Sequence, residues 1–288
     1  MAEDRMRHVD GVRLEEARLH GGRVRDVLAE DLEVQDVLLD RVDVRDAMLR
    51  DVRLRGVELQ RVEISGEVEE VTVNGVDIGP LVEAELDRRY PDHAAMRPTD
   101  ADGFRHAWDV VEDLWAGTVE RARRLDPTLL HASVDGEWSF TETLRHLAFA
   151  TECWVARAVL GEPAPWHPLS LPWDGMPDTP GVPRDRESRP DLDTVLALRA
   201  DRMDVVRRLV ERLGDADLDR EVTVPEGPGW PPEGETLTVR HALRVVLNEE
   251  WWHRRFAERD LDALERQGRP EGRPPSTGRG DDARKSTR

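Results

Sequence analysis

Two periods organise the apolar residues of this chain, and no single architecture satisfies both. From residue 12 to residue 64 they come as i, i+2 pairs recurring every five positions. Val12/Leu14, Ala17/Leu19 and Gly22/Val24 begin the series and Val57/Leu59 and Val62/Ile64 end it, eleven units in unbroken register. An amphipathic helix repeats about every 3.6 residues, and a strand alternates without a phase reset. A period of five with two inward residues instead suits a chain that turns a corner after every unit. From residue 99 onward the spacing becomes helical. The chain therefore reads as two differently built parts.

The five-residue register breaks at Gly66. Asn74-Gly75 then sits between the alternating runs Val71-Thr72-Val73 and Val76-Asp77-Ile78, the strongest short-range hairpin signal. We read it as the end of the repeat region. Pro80 to Arg89 follows as a brief amphipathic helix carrying Leu81, Val82 and Leu86, and Tyr90 to Pro98 as a linker.

Four helices are expected beyond it. The first, about Ala101 to Leu125, aligns Phe104, Trp108, Val111, Trp115 and Val119 on one face. The second opens on the capping box Ser139/Glu142 and runs to about Leu160, stopped by Gly161 and Pro163. A long connection, Glu162 to Pro190, holds Trp166, His167, Trp173 and Asp174; loops of that length are usually functional or mobile. The third helix covers about Leu192 to Leu213. Thr238 caps the fourth, which reaches about Glu258 with a further turn or two over Asp260 to Arg266. From Gln267 the composition is that of a disordered tail. The expected division is a tail at 1–9, the repeat with its hairpin at 10–80, a short helix and linker at 81–98, a helical bundle at 99–266 and a tail at 267–288.

Composition limits the partners. With 42 basic and 61 acidic residues the formal net charge is −19, and nucleic-acid or anionic-membrane surfaces need a positive footprint. No stretch approaches the roughly 20 apolar residues of a membrane span, and the charged N-terminus lacks a signal-peptide core. The single Cys153 excludes an internal disulfide framework. These features lead us to expect a soluble, cytoplasmic protein.

Chemistry concentrates on two helices. Glu249 and His253 are four apart on the last one, so they project from one face. His146 interrupts the apolar stripe of Phe140, Leu144, Leu147 and Trp154 on the second. If those faces meet, two imidazoles and a carboxylate converge, and a His₂Glu set leaves a coordination position open on tetrahedral zinc. The same residues can equally form a surface Glu/His pair and a core histidine. His241 shares the Glu249 face but lies about 12 Å away by helical rise, so it reads as a rim or core residue. Cys153 reads as packed. Asn248 and Glu250 flank the set as candidate supporting or proton-transfer groups, and Trp166 and Trp173 as walls of a substrate pocket.

The repeat resembles the pentapeptide-repeat family, whose chains wind into a right-handed, four-sided β-helix. Eleven units would make a little under three coils, with the paired residues inward. Valine dominates the first inward site where that family prefers alanine. Some members of that family are acidic DNA mimics. Here 14 acids and 10 arginines intersperse between Asp10 and Glu63, which reads instead as a solvated face. Residues 99–266 resemble the DinB/YfiT-like four-helix metalloenzymes, through Gly136-Glu-Trp-Ser-Phe-Thr-Glu-Thr-Leu-Arg-His146-Leu-Ala and Asn248-Glu-Glu-Trp-Trp-His253-Arg. Many members have histidine where Glu249 stands, and the mycothiol-dependent maleylpyruvate isomerase branch is more similar.

The combined fold expected is a short quadrilateral β-helix followed by a DinB-like bundle. The resemblance implies a divalent metal, zinc first, on His146, Glu249 and His253. It also implies a low-molecular-weight thiol such as mycothiol, and S-transfer or isomerisation of a small electrophilic substrate. That isomerase carries a second domain after its bundle, absent here, so the thiol contacts stay unassigned. DinB-like bundles often form homodimers. The alternative readings are a protein-interaction module whose partner binds the solenoid face, and a metal-binding protein without turnover.

Overall fold

The structure, a computed structural model, describes residues 40–42, 44, 49–64, 68 and 70–267. Most of the expected repeat, 10–39, the expected tail at 1–9 and all of the expected tail at 267–288 except Gln267, which ends the last helix, lie outside the described residues.

Within the repeat, left-handed backbone recurs in step with the sequence period. Arg41, Asp51, Gly56 and Arg61 have φ of 56°, 52°, 62° and 54°, and each immediately precedes the first residue of an apolar pair. Left-handed backbone thus keeps the five-residue period among the described residues. Residues 49–64 form no strand, however, and Val52, Leu54, Val57, Leu59, Val62 and Ile64 are exposed. The β-helix expectation is not met there.

Strands β1 (Thr72–Val73) and β2 (Val76–Asp77) pair antiparallel. Asn74 and Gly75 between them both have positive φ, 51° and 80°, as a type I′ turn requires. Helix α1 (Gly79–Arg89) follows, with Pro80 in its first turn, where a missing N–H costs nothing. The segment read as a linker is packed instead. A 3₁₀ turn over His93–Met96 buries both of its end residues. Tyr90 and His93 contact the Trp251 ring at 5.6 and 4.5 Å, and the Arg255 guanidinium covers Tyr90. The prolines at either end suggested a loose connection, but its aromatic residues have apolar partners on the bundle.

Helices α2 (Ala101–Ala122), α3 (Phe140–Thr151), α4 (Leu192–Arg212) and α6 (Val239–Gln267) form the bundle. Asp100, Ser139 and Asp191 cap the first three through their side chains, Ser139 in a complete capping box with Glu142. Thr238 accepts the His241 N–H at the start of α6. α2 packs against α4 and α6, and so does α3, which leaves α4 and α6 at opposite corners. Phe104, Trp108, Val111 and Trp115 of α2 are buried, while Val119 is only partly covered. α3 continues as a π-helical stretch, Glu152–Val159, a form that often marks functional sites. A one-turn helix, α5 (Asp215–Leu218), and the antiparallel strands β3 (Glu221–Thr223) and β4 (Thr236–Thr238) fill the α4–α6 connection. Val222 and Leu237 of this hairpin are buried.

The 162–190 connection is tied down. The fully buried Arg145 guanidinium donates to the carbonyls of Leu169 (2.7 Å), Asp185 and Ser188. Arg184 bonds the carbonyls of Trp173, Asp174 and Met176. Arg157, also fully buried, does the same for the 225–231 segment through Pro225, Gly227 and Pro231. Guanidinium forks satisfy carbonyls that irregular backbone would otherwise bury unpaired.

Candidate metal centre

Two adjacent helices bring the three expected donors to one point. His146 comes from α3, and Glu249 and His253 from successive turns of α6. Glu249 Oε2 lies 3.4 Å from His146 Nε2 and 3.0 Å from His253 Nε2. One donor atom from each residue lies within 4.8 Å of the other two. His146 is buried at 8% side-chain exposure, whereas His253 and Glu249 keep 21% and 29%. The cluster is therefore closed toward the core and open on one side.

His146 Nδ1 sits 3.1 Å from the Leu171 carbonyl. A carbonyl only accepts, so Nδ1 carries the proton and donates it, which turns the Nε2 lone pair of the neutral ring toward Glu249. Lone pair and carboxylate repel unless a proton or a metal cation lies between them. Burial opposes ionisation of Glu249, but hydrogen bonds from protonated ring nitrogens of His146 and His253 outweigh this and hold the carboxyl well below the usual range, a part that a cation takes when those nitrogens present lone pairs. Two imidazoles and an ionised carboxylate thus suit a divalent cation with an open position.

Trp138, immediately before the α3 cap, covers both rings. It stacks on His253 at 5.7 Å and 9° and tilts over His146 at 4.4 Å. Its indole N–H points to Asp174 at 3.3 Å, and Asp174 also pairs with Arg186. The sequence reading did not single out Trp138 for this site, although its position beside the motif carried a hint.

A family model described as the DinB superfamily matches residues 111–257. The chain belongs to the DinB superfamily. The match spans all three donors and α4, and it stops short of the β1–β2 hairpin and of α1. No curated protein and no solved structure gives a match.

The other residues weighed around the three donors take these places in the DinB-type bundle. His241 is exposed and meets the edge of Trp154, away from the three donors. Cys153 is buried with Phe149 and Met176, and burial pushes its thiol well above the ordinary value. Glu250 turns into the core and pairs with Arg199 at 2.8 Å. Trp166 and Trp173 pack on Phe149 as a wall. The cavity beside them, about 350 Å³, is lined by Pro172, Met176, Val182, Arg184 and their loop neighbours, and by neither tryptophan. A second group, Glu83, Asp87 and His93, also clusters. The Arg97 guanidinium already bridges its two carboxylates, at 2.6 and 2.7 Å, so this set is an ion-pair network.

Glu152 adds a titrating joint behind the site. Its carboxylate is fully buried and accepts from the His167 amide (3.1 Å) and from Arg202 (2.8 Å), joining the loop and α4. Burial raises it from 4.5 to about 7, against the lowering pull of Ser170, Arg202 and the His167 amide. Because the folded pKa is the higher one, this stabilisation is complete below about 4.5 and is lost as pH rises through about 7. The difference is roughly 3 kcal/mol. Denaturant unfolding at pH 5 and pH 8 should show that loss in the wild type and a flatter dependence in Glu152→Gln. Parallel pH dependences for the two proteins would refute this.

Proposed function

We propose that this bundle is a divalent-metal-dependent enzyme, with zinc on His146, Glu249 and His253. The reaction is thiol-dependent S-transfer or isomerisation of a small electrophilic substrate. The observation that carries the reading is the meeting of two imidazole nitrogens and an ionised carboxylate on the open side of a DinB-superfamily bundle. A bound divalent cation would supply one thing, stabilisation of a thiol as thiolate at neutral pH. The chain's residues supply the rest. The Leu171 carbonyl fixes the His146 tautomer, Glu249 balances charge, and Trp138 keeps water from one face of His253.

The chain's own thiol is unsuited as nucleophile, since Cys153 is buried and its pKa is raised. A low-molecular-weight thiol such as mycothiol must therefore come from outside, which accords with a reducing cytoplasm. The test is thiol consumption by the zinc-loaded protein against a panel of epoxides, alkyl halides and unsaturated acids. The expected rate exceeds that of free zinc and disappears in Glu249→Gln. A loaded protein that consumes no thiol would leave a metal-binding role without turnover. A second reading, a protein-interaction surface on the repeat, is favoured by the exposed Leu54, Val57 and Leu59.

A further inference from the structure

Glu249 and Glu250 are neighbours with opposite duties. Successive residues of a helix point about 100° apart, so when Glu249 faces His146 of α3, Glu250 faces the bundle interior. Its exposure is 1%, and that of its partner Arg199 is 3%. Arg199 Nη2 donates to Glu250 Oε2 at 2.8 Å, spanning the diagonal between α4 and α6. The same guanidinium lies 5.8 Å from the Trp115 ring centroid of α2. Three helices therefore meet through one ion pair at the centre of the bundle.

We propose that the Arg199–Glu250 pair is a positioning device that fixes the rotation of α6, and with it the aim of Glu249 and His253. The inference rests on the metal reading above. Stability alone does not explain such a pair, because apolar residues of similar volume fill the same space with equal or better stability. Direction does explain it. The single charge-assisted bond from Arg199 Nη2 to Glu250 Oε2 is directional, whereas apolar side chains let a helix slide or turn. Side-chain tips lie about 5 Å from the helix axis, so a rotation of about 20° moves them by about 2 Å. Metal–ligand distances tolerate about 0.2 Å.

The experiment compares Arg199→Met/Glu250→Leu with the wild type by titration of Zn²⁺ or Co²⁺ alone, with thermal unfolding and the visible spectrum of the Co²⁺ form. The double variant is expected to melt at or above the wild-type temperature. It should bind Zn²⁺ about tenfold or more weakly, the effect of losing a supporting group, and show a shifted Co²⁺ spectrum. Val210→Ala, a core change on α4, should lower the melting temperature and leave the Co²⁺ spectrum unchanged. If the double variant does not fold, Arg199→Lys serves, since it keeps the charge but replaces the planar guanidinium with a differently placed ammonium, and weaker binding with a shifted spectrum is again expected. Either folded variant binding within about twofold of wild type with an unchanged spectrum would overturn the inference and leave the metal reading intact. A wild type that takes up neither ion would bring down both.

Discussion

Arg145→Ala is expected to destabilise the protein by about 3–5 kcal/mol, the range for breaking a fully buried charged network. The side chain has no solvent exposure, and its three acceptors are loop carbonyls at residues 169, 185 and 188. Truncation leaves those carbonyls without their donor and frees both ends of the 162–190 segment. The loss also reaches the metal centre. The Leu171 amide bonds the Arg145 carbonyl at 3.2 Å, and the Leu171 carbonyl holds His146. Denaturant unfolding should show the loss, and limited proteolysis should show new cleavage within 162–190. Arg145→Lys should fall between, because one ammonium cannot serve three spread acceptors. A change below about 1 kcal/mol with an uncut loop would show that other contacts hold the segment.

The bundle and the clustering of His146, Glu249 and His253 were legible for local reasons. Ser139 with Glu142, Asn74 with Gly75, and the Phe104/Trp108/Val111/Trp115 stripe each state their geometry within a few residues. His146, Glu249 and His253 could be paired because a four-residue spacing fixes one face of a helix and a polar residue in an apolar stripe needs a partner. What stayed hidden depends on distant partners. Nothing near Arg145 or Arg157 in the chain shows that loop carbonyls 24 to 74 residues away will surround them. Tyr90 and His93 looked like linker residues until Trp251 supplied a surface for them. Glu250 read as a flanking group of the site, and only the tertiary position of Arg199 turns it inward. The period of five recurs as left-handed backbone at Asp51, Gly56 and Arg61, but the paired residues between them are exposed and form no strand.

His146, Glu249 and His253 are proposed to hold a divalent cation. That proposal is tested most directly by the metal content and Zn²⁺ affinity of the purified full-length protein beside His146→Ala and Glu249→Gln. Removing a supporting group typically weakens metal binding by 10–100-fold, so loss of a ligand itself should cost about 100-fold or more. The account predicts one zinc per chain in the wild type and substoichiometric metal in both variants, with circular dichroism unchanged. A folded wild type that binds no divalent metal, or variants that retain it with wild-type affinity, would contradict it.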